Sequence, residues 1–286
     1  MIRRLCIIGV GLIGGSLARA LRNAGVCEEI VGSGRSVGNL EKAMELGVID
    51  RFDTDPAIAA AGADMIVVAV PLGAMEAVFR AIQPVLGTES VLTDAGSAKG
   101  CVVDAARAVF GEVPAFLVPG HPIAGTERSG VGASFPELYQ GRRVILTPLP
   151  ETDLRALDRV TLMWQAAGAR VSNMEVTHHD AVLAATSHLP HVLAFSLVDT
   201  LSRLEEHDEI LEYAAGGFRD FSRITSSDPV MWRDICIANR DAILKMIDRY
   251  MAGLNEFTGM LREQDEERIL ETFRRAKEVR DGFVGH

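Results

Sequence analysis

Apolar positions change their period a little past the middle of the chain. Up to residue 172 they come in short runs: Leu5 to Ile8, Glu29 to Gly32, Asp64 to Pro71, Ser90 to Thr93, Phe116 to Pro119, Arg143 to Thr147 and Arg170 to Ser172. These runs show little polar alternation, as expected of strands buried on both faces of a parallel sheet, and helical patterns such as Ser16 to Ala24 separate them. Alternating strands and helices predict an α/β, doubly wound first half, closed by the last two runs. From Val176 long helical patterns take over. One helix is predicted from about Thr177 to Leu204, kinked at Pro190 because proline cannot donate to the carbonyl of Thr186. Asp228-Pro229 opens another, with an N-cap and proline at the first helical position. Ile243, Leu244, Ile247, Met251, Leu254, Phe257 and Leu261 then form an apolar stripe, either core or half of a subunit interface. The charged stretch Glu263 to Arg280 is expected to be a solvated helix face. The change near Asn173 to Glu175 predicts an α/β domain over 1–174 and an all-helical domain over 175–286.

The first strand runs directly into Gly9-Val10-Gly11-Leu12-Ile13-Gly14 and then into a helix. Strand, G-x-G-x-x-G and helix together predict a dinucleotide site. The first glycine permits the tight turn, the second a close backbone approach to the pyrophosphate, and the third close helix packing. Cofactor contacts are expected at Gly9, Gly11, Leu12, Ile13 and Gly14, and at Val70 and Pro71, where another strand ends. A site built for NAD should carry an acid after the second strand. Here the sequence is Ser33-Gly34-Arg35-Ser36, which lacks the acid and could hold a 2′-phosphate through Arg35 with Ser33 or Ser36. The expected cofactor is therefore NADP or NAD, with NADP or dual use favoured over an exposed Arg35 flanking an NAD site.

Candidate chemistry gathers in four further stretches. Asp94-Ala95-Gly96-Ser97-Ala98-Lys99-Gly100 offers small residues for close ligand approach, the Ser97 hydroxyl, which could equally be a helix cap, and the Lys99 charge. Gly120-His121-Pro122-Ile123-Ala124-Gly125-Thr126-Glu127 places an acid/base histidine, a rigid turn, a hydroxyl and a carboxylate in eight residues. In Ser187-His188-Leu189-Pro190-His191 two histidines lie one helical turn apart; no thiolate or carboxylate completes a metal shell, so they are read as substrate-facing or core-satisfied and no metal is expected. Gly216-Gly217-Phe218-Arg219-Asp220-Phe221-Ser222-Arg223 sets glycines ahead of two arginines, whose planar forks suit carboxylates, though one could pair with Asp220.

Composition narrows the partners. A formal charge of −10 over 286 residues disfavours a nucleic acid partner but allows a small anionic substrate in a locally basic pocket. Cys6, Cys27, Cys101 and Cys236 are scattered, which fits a reducing cytoplasm rather than a disulfide scaffold. Arg3, Arg4 and the apolar run before Ala18-Arg19-Ala20 imitate a signal peptide, but the glycines interrupt it. Elsewhere no membrane span is expected.

Taken together, Gly9 to Ser16, Asp94 to Gly100, Gly120 to Glu127, Ser187 to His191, Gly217 to Arg223 and Met231-Trp232-Arg233-Asp234 resemble, in order, the blocks of the prephenate/arogenate (cyclohexadienyl) dehydrogenase family of tyrosine biosynthesis. The resemblance implies a Rossmann-type domain followed by a helical dimerisation domain, a homodimer formed through the latter, and an active site between them. It also implies NAD(P)-dependent oxidative decarboxylation of prephenate and/or arogenate to 4-hydroxyphenylpyruvate and/or tyrosine. By resemblance His121 accepts the proton of the ring hydroxyl and Ser97 orients that hydroxyl. His191 and Arg223, with His188 and Arg219, hold the substrate, and Thr126, Glu127 and Trp232 line or gate the pocket. The missing acid near Arg35 departs from the family's common NAD preference. No mutase segment precedes the glycine turn and no regulatory segment follows the helices in this sequence, so feedback by tyrosine is expected to act at the active site. Two competing readings are another two-domain hydroxyacid-type dehydrogenase, which needs a helical-half lysine not evident between Val176 and Arg240, and a dinucleotide sensor, which has no use for His121.

Overall fold

The computed structural model describes residues 1–284; Gly285 and His286, the end of the expected helical domain, lie outside the described residues. The first part of the chain alternates β1 (Ile2–Ile8), α1 (Leu12–Asn23), β2 (Cys27–Ser33), α2 (Val37–Glu45), β3 (Arg51–Asp53), α3 (Pro56–Ala60), β4 (Met65–Val68), α4 (Met75–Ile82), β5 (Val91–Asp94), α5 (Gly100–Phe110) and β6 (Leu117–Val118). These six strands form one sheet in the order β3-β2-β1-β4-β5-β6, with every pair parallel. The order reverses direction between β1 and β4, and ligands bind at such switch points beyond the carboxyl ends of the strands. The apolar runs are strands because both faces are covered. Leu5 and Ile7 of β1 enter one buried cluster, and Cys6 and Ile8 enter the other. The stretch that imitates a signal peptide is thus the inner strand β1, the glycine turn and the first part of α1.

The closing strands do not extend this sheet. After Val118 the chain enters β7 (Gly120–Pro122), β8 (Arg143–Leu146), α6 (Leu154–Ala166) and β9 (Arg170–Asn173). β7, β8 and β9 make a separate three-stranded sheet, antiparallel between β7 and β8 and parallel between β8 and β9. An apolar run specifies a buried strand but not its neighbour, and Pro119, which has no N–H to donate, stands where the chain leaves the main sheet.

The helical part begins with α7 (Val176–Leu183), a π-turn over Ala184–His188, and α8 (Leu189–Ser202). The predicted kink is this π-turn, in which the Leu189 N–H reaches back five residues to the Ala184 carbonyl and places Pro190 in the first turn of α8. Single π-turns often mark functional sites. By length and composition Val176–Ser202 is apolar enough to cross a membrane, with only 28% of its most apolar window buried. Next come α9 (His207–Glu212), α10 (Gly216–Ser222), α11 (Pro229–Ala238), α12 (Arg240–Glu263) and α13 (Glu266–Val284). Asp228 caps α11 by accepting from the Val230 and Met231 N–H groups.

By packing density the chain divides into residues 1–240 and residues from Asp241 onward. The second unit is the bulk of α12 together with α13, whose Phe257 and Phe273 rings lie 5.6 Å apart. Leu244, Met251, Leu254 and Leu261 of the α12 stripe are exposed, and so are Leu270, Phe273 and Val279 of α13. Ile243 of the stripe is buried and Ile247 and Phe257 are half-buried, and the charged tail is exposed along nearly its whole length, as a solvated face is.

Candidate active site

The glycine turn divides its three positions by what a side chain would meet. Gly9 has φ of +100°, and a Cβ there would stand 2.2 Å from the Ala69 carbonyl oxygen. At Gly14 a Cβ would lie 2.3 Å from the Gly9 carbonyl oxygen. Gly11, the N-cap of α1, has nothing within 4 Å of an added Cβ. The outer glycines are demanded by the protein's own packing, whereas the middle one faces open space at a helix N-terminus, as a pyrophosphate requires. Asn39 braces the turn by donating to the Val10 carbonyl at 2.7 Å, and the Tyr139 hydroxyl donates to that of Ile13 at 2.6 Å. Leu12 is buried and Ile13 half-buried in the same turn, while Val70 and Pro71 follow β4 at the same edge of the sheet. Ser33 is buried at the end of β2, Arg35 is exposed, and Ser36 caps α2 by accepting from the Asn39 N–H. These residues fit a dinucleotide, with Arg35 the one cation in the Ser33 to Ser36 turn.

Beside this edge sits a buried ion pair. Lys99 and Asp94 have fully buried side chains, with Nζ 2.5 Å from Oδ2, and the same ammonium donates to the Gly120 carbonyl at 2.5 Å. Asp94 Oδ1 accepts from the Gly120 N–H, and Oδ2 from the Gly96 N–H. The charge expected to meet a ligand is consumed internally, holding the Asp94 to Gly100 segment against β7. Lys99 rather than Ser97 is the N-cap residue of α5, and Ser97 is half-buried.

His121, on β7, is 8% exposed, and its Nδ1 lies 3.0 Å from His179 Nε2. His179 Nδ1 in turn lies 2.8 Å from Asp180 Oδ1. Asp180 also accepts from the backbone N–H groups of Lys99 and Gly100, both at 2.8 Å. Burial pushes the His121 pKa well below the ordinary histidine value of 6.5, and the nearby Lys99 ammonium pushes it further in the same direction.

A second imidazole cluster lies on the π-turn and α8. His188 is 1% exposed; its Nδ1 accepts from the Asn239 amide at 3.0 Å, and the same amide nitrogen donates to the Asp180 carbonyl at 2.8 Å. Burial lowers the His188 pKa to about 4. His191 donates through Nδ1 to the Ser187 carbonyl and stacks on Trp232, with ring centroids 3.6 Å apart. Burial lowers its pKa too. Trp232 Nε1 is buried without a hydrogen-bond partner, whereas the His188 ring also meets the Ser97 backbone. Unpaired buried donors are costly unless a ligand uses them.

The two arginines separate. Arg219 turns its Nε to the Ala214 carbonyl at 3.1 Å, within its own segment, whereas Arg223 forms an ion pair with Glu127. Thr126 lies on the same exposed loop, where its hydroxyl accepts from the Arg128 N–H. Among the described residues no group of three or more His, Cys, Asp or Glu side chains is placed to hold a metal.

The model of the prephenate dehydrogenase nucleotide-binding domain matches residues 17–173, and that of the prephenate dehydrogenase dimerization domain matches residues 175–275. The chain belongs to the prephenate dehydrogenase family. Cyclohexadienyl dehydrogenase of Zymomonas mobilis is 36% identical over 283 residues, covering 97% of this chain and 95% of that protein. Prephenate dehydrogenase from Aquifex aeolicus, solved with hydroxyphenyl propionate and NAD+, shares 36% identity and a TM-score of 0.93 over 99% of each chain. Synechocystis arogenate dehydrogenase has a TM-score of 0.81 at 25% identity, covering 98% of this chain and 99% of that one. A member of this family is an oxidoreductase with a nucleotide-binding first domain. In this prephenate dehydrogenase-family chain His179, Asp180 and Asn239 join the site without standing out in the sequence. His178 and His179 look alike in sequence, yet the first is exposed and the second fully buried. A polar residue at the start of an ordinary helix gives no signal that distinguishes them.

Proposed function

We propose that, in the family's NAD(P)-dependent oxidative decarboxylation of prephenate and/or arogenate to 4-hydroxyphenylpyruvate and/or tyrosine, His121 accepts the proton of the ring hydroxyl. The observation that carries this is a buried imidazole, kept neutral by burial and by Lys99, at the edge of a dinucleotide fold. A neutral imidazole is a competent base, and proton transfer to a positioned base is worth about 10²–10⁴ in rate. Ser97 orients the hydroxyl. His191, His188 and Trp232 line the substrate cavity, where the unpartnered Trp232 Nε1 donor suits a carboxylate. Arg223 is the arginine that meets the substrate, and its pairing with Glu127 supports a gate that opens when a substrate carboxylate replaces the glutamate, with Thr126 on the gate loop. Arg219, tied to its own backbone, supports that turn. When bound, the oxidised nicotinamide supplies the hydride acceptor. The chain's own residues remove the proton, hold the carboxylate and exclude water, while loss of CO2 and aromatisation supply the driving force.

The finer assignments follow the same logic. Gly9, Gly11, Leu12, Ile13, Gly14, Val70 and Pro71 hold the dinucleotide, and Ser33, Arg35 and Ser36 admit NADP as well as NAD because no acid repels a 2′-phosphate. Residues 1–174 form the cofactor domain and 175–286 the helical domain. A homodimer built through the helices covers the exposed apolar positions of α12 and the groove lined by Val192, Phe195, Trp232 and Cys236. We place the enzyme in the cytoplasm. Initial rates of cofactor reduction, measured for prephenate and arogenate with NAD and with NADP, test the reading. Turnover with at least one pair is expected, with NADP accepted; no cofactor reduction with any pair would contradict it.

A further inference from the structure

We propose that His179 and Asp180 are positioning residues that fix the tautomer of His121, so that its Nε2 presents a lone pair to the substrate hydroxyl. The proposal rests on the assignment of His121 as proton acceptor. It follows from counting hydrogens along one chain of contacts. Asp180 is an acceptor: Oδ1 receives the Lys99 N–H and Oδ2 the Gly100 N–H, each at 2.8 Å. Burial pulls its carboxyl upward, but hydrogen bonds from His179, Lys99 and Gly100 outweigh this and hold it below the usual carboxylate range. An ionised carboxylate donates nothing, so the 2.8 Å contact to His179 Nδ1 requires the proton on that nitrogen. A neutral His179 then has its lone pair on Nε2. The 3.0 Å contact between His179 Nε2 and His121 Nδ1 therefore requires His121 to donate. His121 is left with a bare Nε2, the nitrogen a base needs.

The alternative tautomer would leave His121 with Nε2–H facing the substrate and two lone pairs opposed across 3.0 Å, so the chain decides which nitrogen acts. The arrangement is anchored. Asp180 bridges α7 to the start of α5, and Asn239 grips the Asp180 carbonyl and the His188 ring together. The charged and titratable groups facing His121 are Lys99 ahead of α5, His179 on α7 and His188 on the π-turn. Asp94 on β5 pairs with Lys99, and Asp180 stands behind His179.

The test is the tautomer itself, read from long-range 15N–1H correlation spectra of histidine-labelled protein near pH 7, with His121 assigned by the loss of its signals in His121→Asn. His121 is expected to carry its hydrogen on Nδ1. In His179→Leu that preference is lost and kcat falls on the order of 10²-fold, with KM for the substrate changed less than about 3-fold. In His179→Gln, whose amide oxygen can still accept from His121, the tautomer is kept and kcat recovers to within about 10-fold of wild type. A wild-type His121 with its hydrogen on Nε2, or a doubly protonated His179, overturns the proposal without any variant. A folded His179→Leu that keeps both tautomer and kcat overturns it equally. Wild-type-like turnover by His121→Asn would instead remove the proton-acceptor assignment beneath it, whatever the spectra show.

Discussion

Lys99 and Asp94 form a fully buried ion pair whose ammonium also donates to the carbonyl of Gly120, the residue before His121. One cation thus fastens the strand that carries the base to the sheet edge, and its charge adds to burial, the larger cause, in keeping that base neutral. Removing one partner of such a pair leaves the other charged and buried, which costs about 3–5 kcal/mol. Lys99→Met is expected to lower the unfolding free energy by about that amount in denaturant titration. A loss below about 1 kcal/mol would show that the pair does not hold this edge together.

The glycine turn offers a separation of folding from binding. Gly11→Ala meets nothing within 4 Å in the protein, whereas Gly9→Ala would press a Cβ to 2.2 Å from the Ala69 carbonyl oxygen. Gly11→Ala should therefore keep the wild-type melting temperature while weakening dinucleotide binding about tenfold, a loss of about 1.4 kcal/mol. Gly9→Ala should lose both. Calorimetric titration with the cofactor checks this, and unchanged affinity in Gly11→Ala would mean the pyrophosphate does not approach there.

A histidine base in water would give an acid limb in kcat/KM near ~6.5, the value the bare motif predicts. Burial and Lys99 move it down, so activity should persist through pH 6.5 and fall only below it. A limb centred at or above 6.5 would contradict a buried neutral base. Stability carries the same sign. His188 titrates at about 4 when folded and near 6.5 when unfolded, so its contribution is complete above 6.5 and is lost as pH falls toward 4, a change worth roughly 3 kcal/mol. Denaturant midpoints measured between pH 7 and pH 4 should show that slope, diminished in His188→Leu.

Features set by near neighbours in sequence could be read without a structure. The glycine turn, the strand it ends, the capped helix after Asp228 and the break at Pro190 all depend on local geometry. The helix absorbs that break as a π-turn over Ala184–His188 rather than as a bare kink. What could not be read depends on pairing across the fold. β8 has the same apolar character as β4 yet joins a different sheet. Lys99 looked available to a ligand because its partner Asp94 and the Gly120 carbonyl meet it only after folding. Arg219 and Arg223, one turn apart, are alike in sequence and differ only because folding brings Glu127 beside the second.

The central claim is that His121 takes the proton from the substrate's ring hydroxyl. His121→Asn keeps a polar side chain on β7 but removes the basic nitrogen. Steady-state turnover of the variant, with prephenate or arogenate and the preferred cofactor, tests it most directly. The account predicts a kcat lower by about 10²–10⁴-fold in a protein that remains folded; a kcat like that of the wild type would contradict it.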